Sequence, residues 1–197
     1  MKAIILDMYG VIIEQTGDDW APYVQMTFPH LTQEDIYAPW LKAEAGEITS
    51  LAVWKSLGFT GDLEQVEQKY LDTLKLNRGF HDFALAASKN HKMAIISNDL
   101  SRWSRYLREK FDIDKYFNVI CISGDSGMNK PDERIFRHTI EQLGCTAKDC
   151  LYVDDRVSNL IAASAIGMNV VWFSGGNIPY EGKTVTDFSQ LKSLLVL

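Results

Sequence analysis

No apolar run in this chain approaches the roughly 20 residues that cross a bilayer, so neither a membrane span nor a membrane partner is expected. A secretion signal is not expected either, because Asp7 breaks the N-terminal apolar run after four residues. Cysteine is scarce. Cys121, Cys145 and Cys150 are odd in number and lack metal-ligand spacing, which points to free, mostly buried thiols in a reducing, cytoplasmic setting. The four histidines, His30, His81, His91 and His138, show no pairing at helical spacing and read as structural or exposed. Positive charge is in deficit, with 20 Lys+Arg against 26 Asp+Glu and a net charge of −6, which argues against a nucleic-acid partner. Repeats and low-complexity segments are absent.

What is present is ample core material, 46% hydrophobic over 197 residues, enough for one core with an insertion. The chain is organised around Ala3-Ile4-Ile5-Leu6-Asp7-Met8-Tyr9-Gly10-Val11. Its short apolar run reads as a strand buried on both faces. Asp7 then stands at the carboxyl end of that strand, where parallel sheets bind ligands.

Residues 15–77 hold no clear strand. Asp18 and Asp19 precede a helical stretch with Trp20, Tyr23, Val24 and Phe28. Thr32 caps a helix carrying Ile36, Trp40 and Leu41, which Gly46 stops. Thr49 or Ser50 opens a third helix, ended by Gly58. Asp62 opens a fourth, with Tyr70, Leu71 and Leu74 near one face. These aromatics read as the core of a small helical unit, with a substrate pocket as the alternative.

From Phe80 onward helices and strands alternate. Helix is expected at 80–89 and strand at 93–96, ending at Ser97 and Asn98; helix follows through Trp103 and Leu107. A strand at 119–122 leads into a loop at 123–129 before Lys130. Pro131 suits the first position of the next helix, with Asp132 and Glu133 at its positive end. Strand at 151–153 runs into Asp154 and Asp155, followed by helix at 157–166, strand at 169–173 and a last helix near 187–195. This alternation predicts an α/β fold: a doubly wound, mainly parallel Rossmann-like sheet.

Asp7, Ser97/Asn98, Lys130 and Asp154/Asp155 each follow a predicted strand, so they converge on one rim of the sheet. That set suits attack by the Asp7 carboxylate. Ser97 and the Asn98 amide can donate to an oxyanion, and Lys130 supplies fixed positive charge. The clustered carboxylates call for a hard cation, and Mg²⁺ fits.

In this spacing the chain resembles the haloacid dehalogenase (HAD) superfamily. The resemblance rests on Asp7-Met8-Tyr9-Gly10-Val11, Ile96-Ser97-Asn98, Lys130-Pro131-Asp132 and Val153-Asp154-Asp155-Arg156-Val157-Ser158-Asn159, and it covers the whole chain. It implies a core of residues 1–14 and 78–197 and a mobile all-helical cap at 15–77, hinged near Ile13–Gly17 and Leu76–Gly79. It further implies a Mg²⁺-dependent phosphatase acting on a small phosphorylated metabolite. Asp7 would carry the phosphoryl group. Asp7, Asp155 and the Tyr9 backbone carbonyl would hold the metal, with Asp154 and Asn159 behind them.

One position departs from the phosphatase pattern. The residue two after the nucleophile, an acid–base aspartate in those enzymes, is Tyr9. Tyrosine there is similar to the 2-haloacid dehalogenases, whose fourth motif has no aspartate pair and whose halide is held by an arginine after the first motif. This chain has no arginine before Arg78. The carboxylate pair therefore weighs toward a phosphatase weakened by Tyr9. A dehalogenase and a non-catalytic binder of a phosphometabolite or partner remain the alternatives. Neither the physiological substrate nor the oligomeric state is legible.

Overall fold

The computed structural model describes residues 1–14, 19–173 and 180–197. Its centre is a six-stranded parallel sheet in the order β3-β2-β1-β4-β5-β6. The strands are β1 (Ala3–Leu6), β2 (Lys92–Ser97), β3 (Val119–Ile122), β4 (Cys150–Asp154), β5 (Asn169–Phe173) and β6 (Thr184–Val185). Strand β1 lies between β2 and β4, with Leu6 level with Ile95 on one side and Val153 on the other. The chain winds outward through β2 and β3, then returns to the far side of β1. That reversal opens a crevice at the carboxyl end of β1.

Alternation along the strands divides the interior into two cores. Ile4, Leu6, Met93, Ile95, Leu151 and Val153 face one side. Ala3, Ile5, Ala94, Ile96, Cys150 and Tyr152 face the other. Helices α8 (Glu133–Leu143) and α9 (Val157–Ala165) cover the second side through Ile135, Phe136, Ile140, Leu160 and Ala163. Helices α5 (Phe80–Ala87), α6 (Ser101–Lys110) and α10 (Phe188–Leu195) cover the first.

Between β1 and β2 lie α1 (Trp20–Thr27), α2 (Gln33–Glu44), α3 (Ser50–Ser56) and α4 (Leu63–Thr73). None of the described residues in 19–75 joins the sheet. The N-caps are local. Thr32 and Asp35 form a reciprocal capping box, Thr49 accepts from the Ala52 N–H, and Asp62 from the Gln65 N–H. Gly46, at φ +77°, follows α2 and allows its chain reversal. The expected hinge at Ile13–Gly17 lies largely outside the described residues, as does Asp18; Leu76 bridges Ile13 at the other junction.

These helices merge with the first core rather than forming one of their own. Trp20 packs edge-on against Trp54, Tyr70 and Trp103, with ring centroids 4.6–5.0 Å apart, and Trp103 belongs to α6. Inside this aromatic cluster sits Glu67 of α4, 1% exposed. One of its oxygens accepts from the Trp54 and Trp103 indole N–H groups at 3.1 and 2.6 Å. The other accepts from Arg102 Nε at 2.6 Å. The Lys110 ammonium also donates to the carbonyls of Leu71, Asp72 and Leu74 at the end of α4.

Three local expectations need correction. The 123–129 segment opens with a helical turn, α7 (Ser123–Ser126), which Gly127 ends at φ +67°. Pro131 is not the first residue of α8. Asp132 takes the N-cap, its carboxylate accepting from the Arg134 N–H at 2.8 Å, which leaves Pro131 outside the helix after a cis peptide bond. Strand β6 was not foreseen, because two residues carry no readable alternation.

Glu67 generates a stability prediction. Removing it strands two buried indole N–H groups, each costing about 1–3 kcal/mol. Glu67→Ala should therefore lower stability by roughly 2–6 kcal/mol and the melting temperature by roughly 4–24 °C for a chain of this size. Glu64 reaches the same arginine at 3.4 Å but is exposed, so Glu64→Ala should change stability by less than about 1 kcal/mol. Equal melting curves for the two variants would show that Glu67 does not tie α4 to α6.

Candidate active site

Asp7 immediately follows β1, and its backbone N–H donates to the Val153 carbonyl at 2.9 Å, fixing it beside β4. Its Oδ1 accepts from Lys130 Nζ at 2.7 Å and from the Met8 N–H at 2.6 Å. Lys130 also reaches Asp154 Oδ2 at 3.0 Å, and the side chains of all three residues are buried. One ammonium thus bridges the ends of two neighbouring strands.

Asp154 is heavily solvated by the protein. Besides Lys130 it accepts from the Tyr152 hydroxyl, from Asn159 Nδ2 at 3.0 Å and from the Arg156 N–H at 2.7 Å. Asp155 lies next to it, its backbone carbonyl held by Trp172 Nε1 at 2.8 Å. Gly10 makes room for this arrangement. It has φ +76°, and a Cβ there would fall 2.4 Å from Asp155 Oδ2. Oxygens of Asp7, Asp154 and Asp155 lie within 4.8 Å of one another.

The electrostatics follow from this crowding. Burial, then repulsion from Asp154, raises the Asp7 carboxyl well above the usual range, with Lys130 opposing. Burial and Asp154 push Asp155 to about 6. Burial would raise Asp154 too, but Lys130, Tyr152 and the Arg156 N–H hold it below its ordinary value. Burial also works against the Lys130 charge, yet Asp154 and Asp7 hold its ammonium above its ordinary range. Once ionised, the three acids outnumber the cations beside them, the Lys130 ammonium and the Arg156 guanidinium, and leave an excess of negative charge at the sheet rim. That donor set of hard oxygens fits a divalent cation.

The remaining expected residues take different places. Asn98 lines the cavity and uses one of its two amide N–H groups on the lysine backbone. Its Nδ2 donates to the Lys130 carbonyl at 2.9 Å and its Oδ1 accepts from the Lys130 N–H at 2.7 Å, so it braces the lysine. Ser97 ends β2, fully buried, and its hydroxyl has no partner among the described residues. The Tyr9 hydroxyl donates to Asp99 Oδ1 at 3.3 Å.

Asp99 was missed in the sequence. It is fully buried, its Oδ1 also accepts from the Leu100 N–H, and its Oδ2 has no partner among the described residues. Burial raises it well above the usual carboxylate range. Its position one residue past Asn98 was the only available signal.

A cavity of about 440 Å³ opens above Asp7. Its floor includes Lys130, Asp155 and Asn159; its upper wall comes from α1, α2 and α4, including Trp20, Trp40 and Tyr70. The aromatics read from the sequence as core or as pocket are therefore both. Glu44, also on this wall and absent from the sequence reading, accepts from Asn129 Nδ2 at 3.3 Å.

The doubly wound sheet with a lysine-bridged carboxylate cluster at its rim places the chain among the α/β folds that carry a ligand site at the strand ends. Within that class the chain belongs to the haloacid dehalogenase-like hydrolases, whose family model matches residues 1–167. It is 33% identical over 89 residues to glyceraldehyde 3-phosphate phosphatase of Pyrococcus abyssi, covering 44% of this chain and 37% of that protein. Drimenol cyclase drtB of Aspergillus calidoustus is 25% identical over 182 residues, 88% of this chain and 34% of that protein. The chain thus spans little more than a third of these relatives. The fold matches that of a HAD family enzyme from Bacteroides thetaiotaomicron solved with magnesium and inorganic phosphate. The TM-score is 0.74 at 20% identity, covering 90% of this chain and 96% of that one.

Gly10 provides the test of this geometry. Gly10→Ala adds a strained backbone, costing about 1–3 kcal/mol, and a clash with the Asp155 carboxylate. Asp155→Ala removes the two nearest clashing atoms, so Gly10→Ala should cost at least about 0.5 kcal/mol less in that background. Urea denaturation of the four proteins measures the coupling. Strict additivity would mean that the two residues do not meet.

Proposed function

We propose that this chain is a Mg²⁺-dependent phosphohydrolase of small phosphorylated metabolites, working through a phosphoryl group carried on Asp7. The observation that carries this reading is the buried bridge of Lys130 between Asp7 and Asp154, with Asp155 beside it. Asp7, Asp155 and the Tyr9 backbone carbonyl are assigned to Mg²⁺, with Asp154 and Asn159 orienting them. The metal, when bound, screens the phosphoryl oxygens from these carboxylates.

In the first step the Asp7 carboxylate oxygen forms a bond to phosphorus as the ester P–O bond breaks and the alkoxide departs. Water then attacks phosphorus, which restores Asp7 and releases phosphate. Lys130 holds positive charge beside the transferring group throughout. The Ser97 hydroxyl, buried without a partner, is assigned as a donor to a phosphoryl oxygen. Asn98 serves by fixing the backbone of Lys130.

The proton for the departing alkoxide is the weak point. Tyr9 is buried, and burial together with Asp99 holds its phenol well above its ordinary value. Such a group is a poor acid at neutral pH. Good leaving groups should therefore be favoured: acetyl or p-nitrophenyl phosphate should turn over and an alkyl phosphate poorly. Tyr9→Asp supplies the acid. With Asp99→Asn removing a neighbouring carboxylate, it should raise kcat/KM for the alkyl ester by up to roughly 10²–10⁴-fold. If wild type already matches the variant on the alkyl ester, another residue supplies the proton. No turnover of any phosphate ester, with or without the substitutions, would leave the chain a binding protein.

The metal assignment has its own check. Mg²⁺ should raise the melting temperature, because it binds only the folded site. Asp155→Asn should abolish that rise. In the metal-free protein Asp155 titrates at about 6, and a proton there competes with the ion. Mg²⁺ affinity should therefore fall as pH drops from 7.5 to 5.5, measured by calorimetric titration. Unchanged melting across millimolar Mg²⁺ in wild type would refute the assignment.

A further inference from the structure

The cavity is lined unevenly. Around Asp7 it is ionic, but α2 presents Tyr37, Trp40, Leu41 and Glu44 to it, at the i, i+3, i+4, i+7 spacing of one helix face. Three of those four are apolar or aromatic. Leu41 is 57% exposed despite its size. Trp20 and Tyr70 continue the same surface. A side chain of this kind left open beside a reactive carboxylate is a surface for a ligand rather than core.

Some of the polar groups nearby are spent on one another, while Trp20 Nε1 and Asn129 Oδ1 have no partner among the described residues. Both side-chain atoms of Asn98 hold the Lys130 backbone. The Asn129 amide donates to Glu44.

A second, independent observation concerns the reacting end. Tyr9 donates to buried Asp99, so its hydroxyl proton is already directed at a carboxylate of the protein. A leaving oxygen that is stable without protonation suits this arrangement. Phenolates are such leaving groups, because the ring delocalises the charge.

Resting on the phosphohydrolase reading above, we infer that the ligand class of this site is the phosphate monoester of a flat aromatic alcohol. Its ring lies along the α2 face, and its phosphoryl group lies against Asp7 and Lys130 on the cavity side. The chemistry is that already balanced: the Asp7–phosphorus bond forms, the aryl P–O bond breaks, and the phenolate leaves with the electron pair.

The test compares esters whose leaving groups are similarly basic but differ in apolar area, in the presence of Mg²⁺. From phenyl phosphate to 2-naphthyl phosphate, kcat/KM should rise about tenfold or more, expressed mainly in KM, since each buried carbon adds a few-fold. Glucose 6-phosphate should be the poorest. Leu41→Asp and Trp40→Ala should erase the naphthyl increment, lowering the naphthyl-to-phenyl ratio toward one. Equal KM for phenyl and naphthyl esters, or a preference for glucose 6-phosphate, would overturn the inference and leave the phosphohydrolase reading intact.

A binding arm separates the two claims. Calorimetry of Asp7→Asn with 2-naphthyl phosphate, phenyl phosphate and inorganic phosphate should give at least tenfold tighter binding of the naphthyl ester. Should wild type turn over nothing while this binding order holds, the ligand class stands and the hydrolase reading falls. Absence of that order in Asp7→Asn, alongside turnover without a naphthyl preference, would refute the ligand class.

Discussion

Everything at the rim of the sheet depends on one buried ammonium. Lys130 lies 2.7 Å from Asp7 and 3.0 Å from Asp154, and without it two desolvated carboxylates would face each other from adjacent strands. Breaking such a pair by deleting one partner costs about 3–5 kcal/mol, so the lysine must be delivered accurately. It comes from a loop after β3, with β2 and β1 lying between that strand and β4. Asn98, from the end of β2, clasps the backbone of that loop from both sides. The position of the charge is thereby tied to the sheet rather than to the loop. The same economy explains why Asp154 accepts from four groups while Asp155 titrates at about 6. The first carboxylate is neutralised within the protein, and the second keeps its demand for a cation.

The helices above the crevice are bound by a similar device. A cap that opens freely would need an interface of modest area and mostly polar contact. Here Trp20, Trp54, Tyr70 and Trp103 interlock across the junction, and Glu67 gathers two indoles and Arg102 into one buried network. Ion pairs of this sort specify geometry more than they stabilise. Trp40 of α2 also packs on Trp103, 4.9 Å between ring centroids, so motion of this unit would have to carry α6 along or break these contacts.

Legibility in the sequence tracked the range of the contacts. β1 to β5 were visible because strands buried on both faces are written as continuous apolar runs; Asp7, Ser97 and Asp154 fall at their ends by chain order alone, and Lys130 in the loop that follows β3. The capping residues Thr32, Thr49 and Asp62 were visible because they act within three residues. The role of Asn98 was not, since its partner is 32 residues away. Glu67 looked like one more charge on a polar helix, and only the approach of Trp103 from α6 makes it a buried hub. Asp99 had only its place beside a recognisable motif to mark it, because what distinguishes it is Tyr9, 90 residues earlier.

That last pairing also changes how the departure at Tyr9 should be understood. In the sequence, tyrosine in place of an acid–base aspartate is a loss of one carboxyl. In the fold a carboxyl is still present nearby, but it belongs to Asp99 and lies beyond the phenol ring, buried and accepting the tyrosine's proton. Tyr9 therefore stands between the cavity and that carboxyl as a 9% exposed apolar wall with its polar end turned inward. The substitution removes an acid from the reacting centre and adds ring surface to it in one change. On the reading proposed above, both effects act in the same direction as the aromatic face of α2, toward a flat ester and away from an alkyl one.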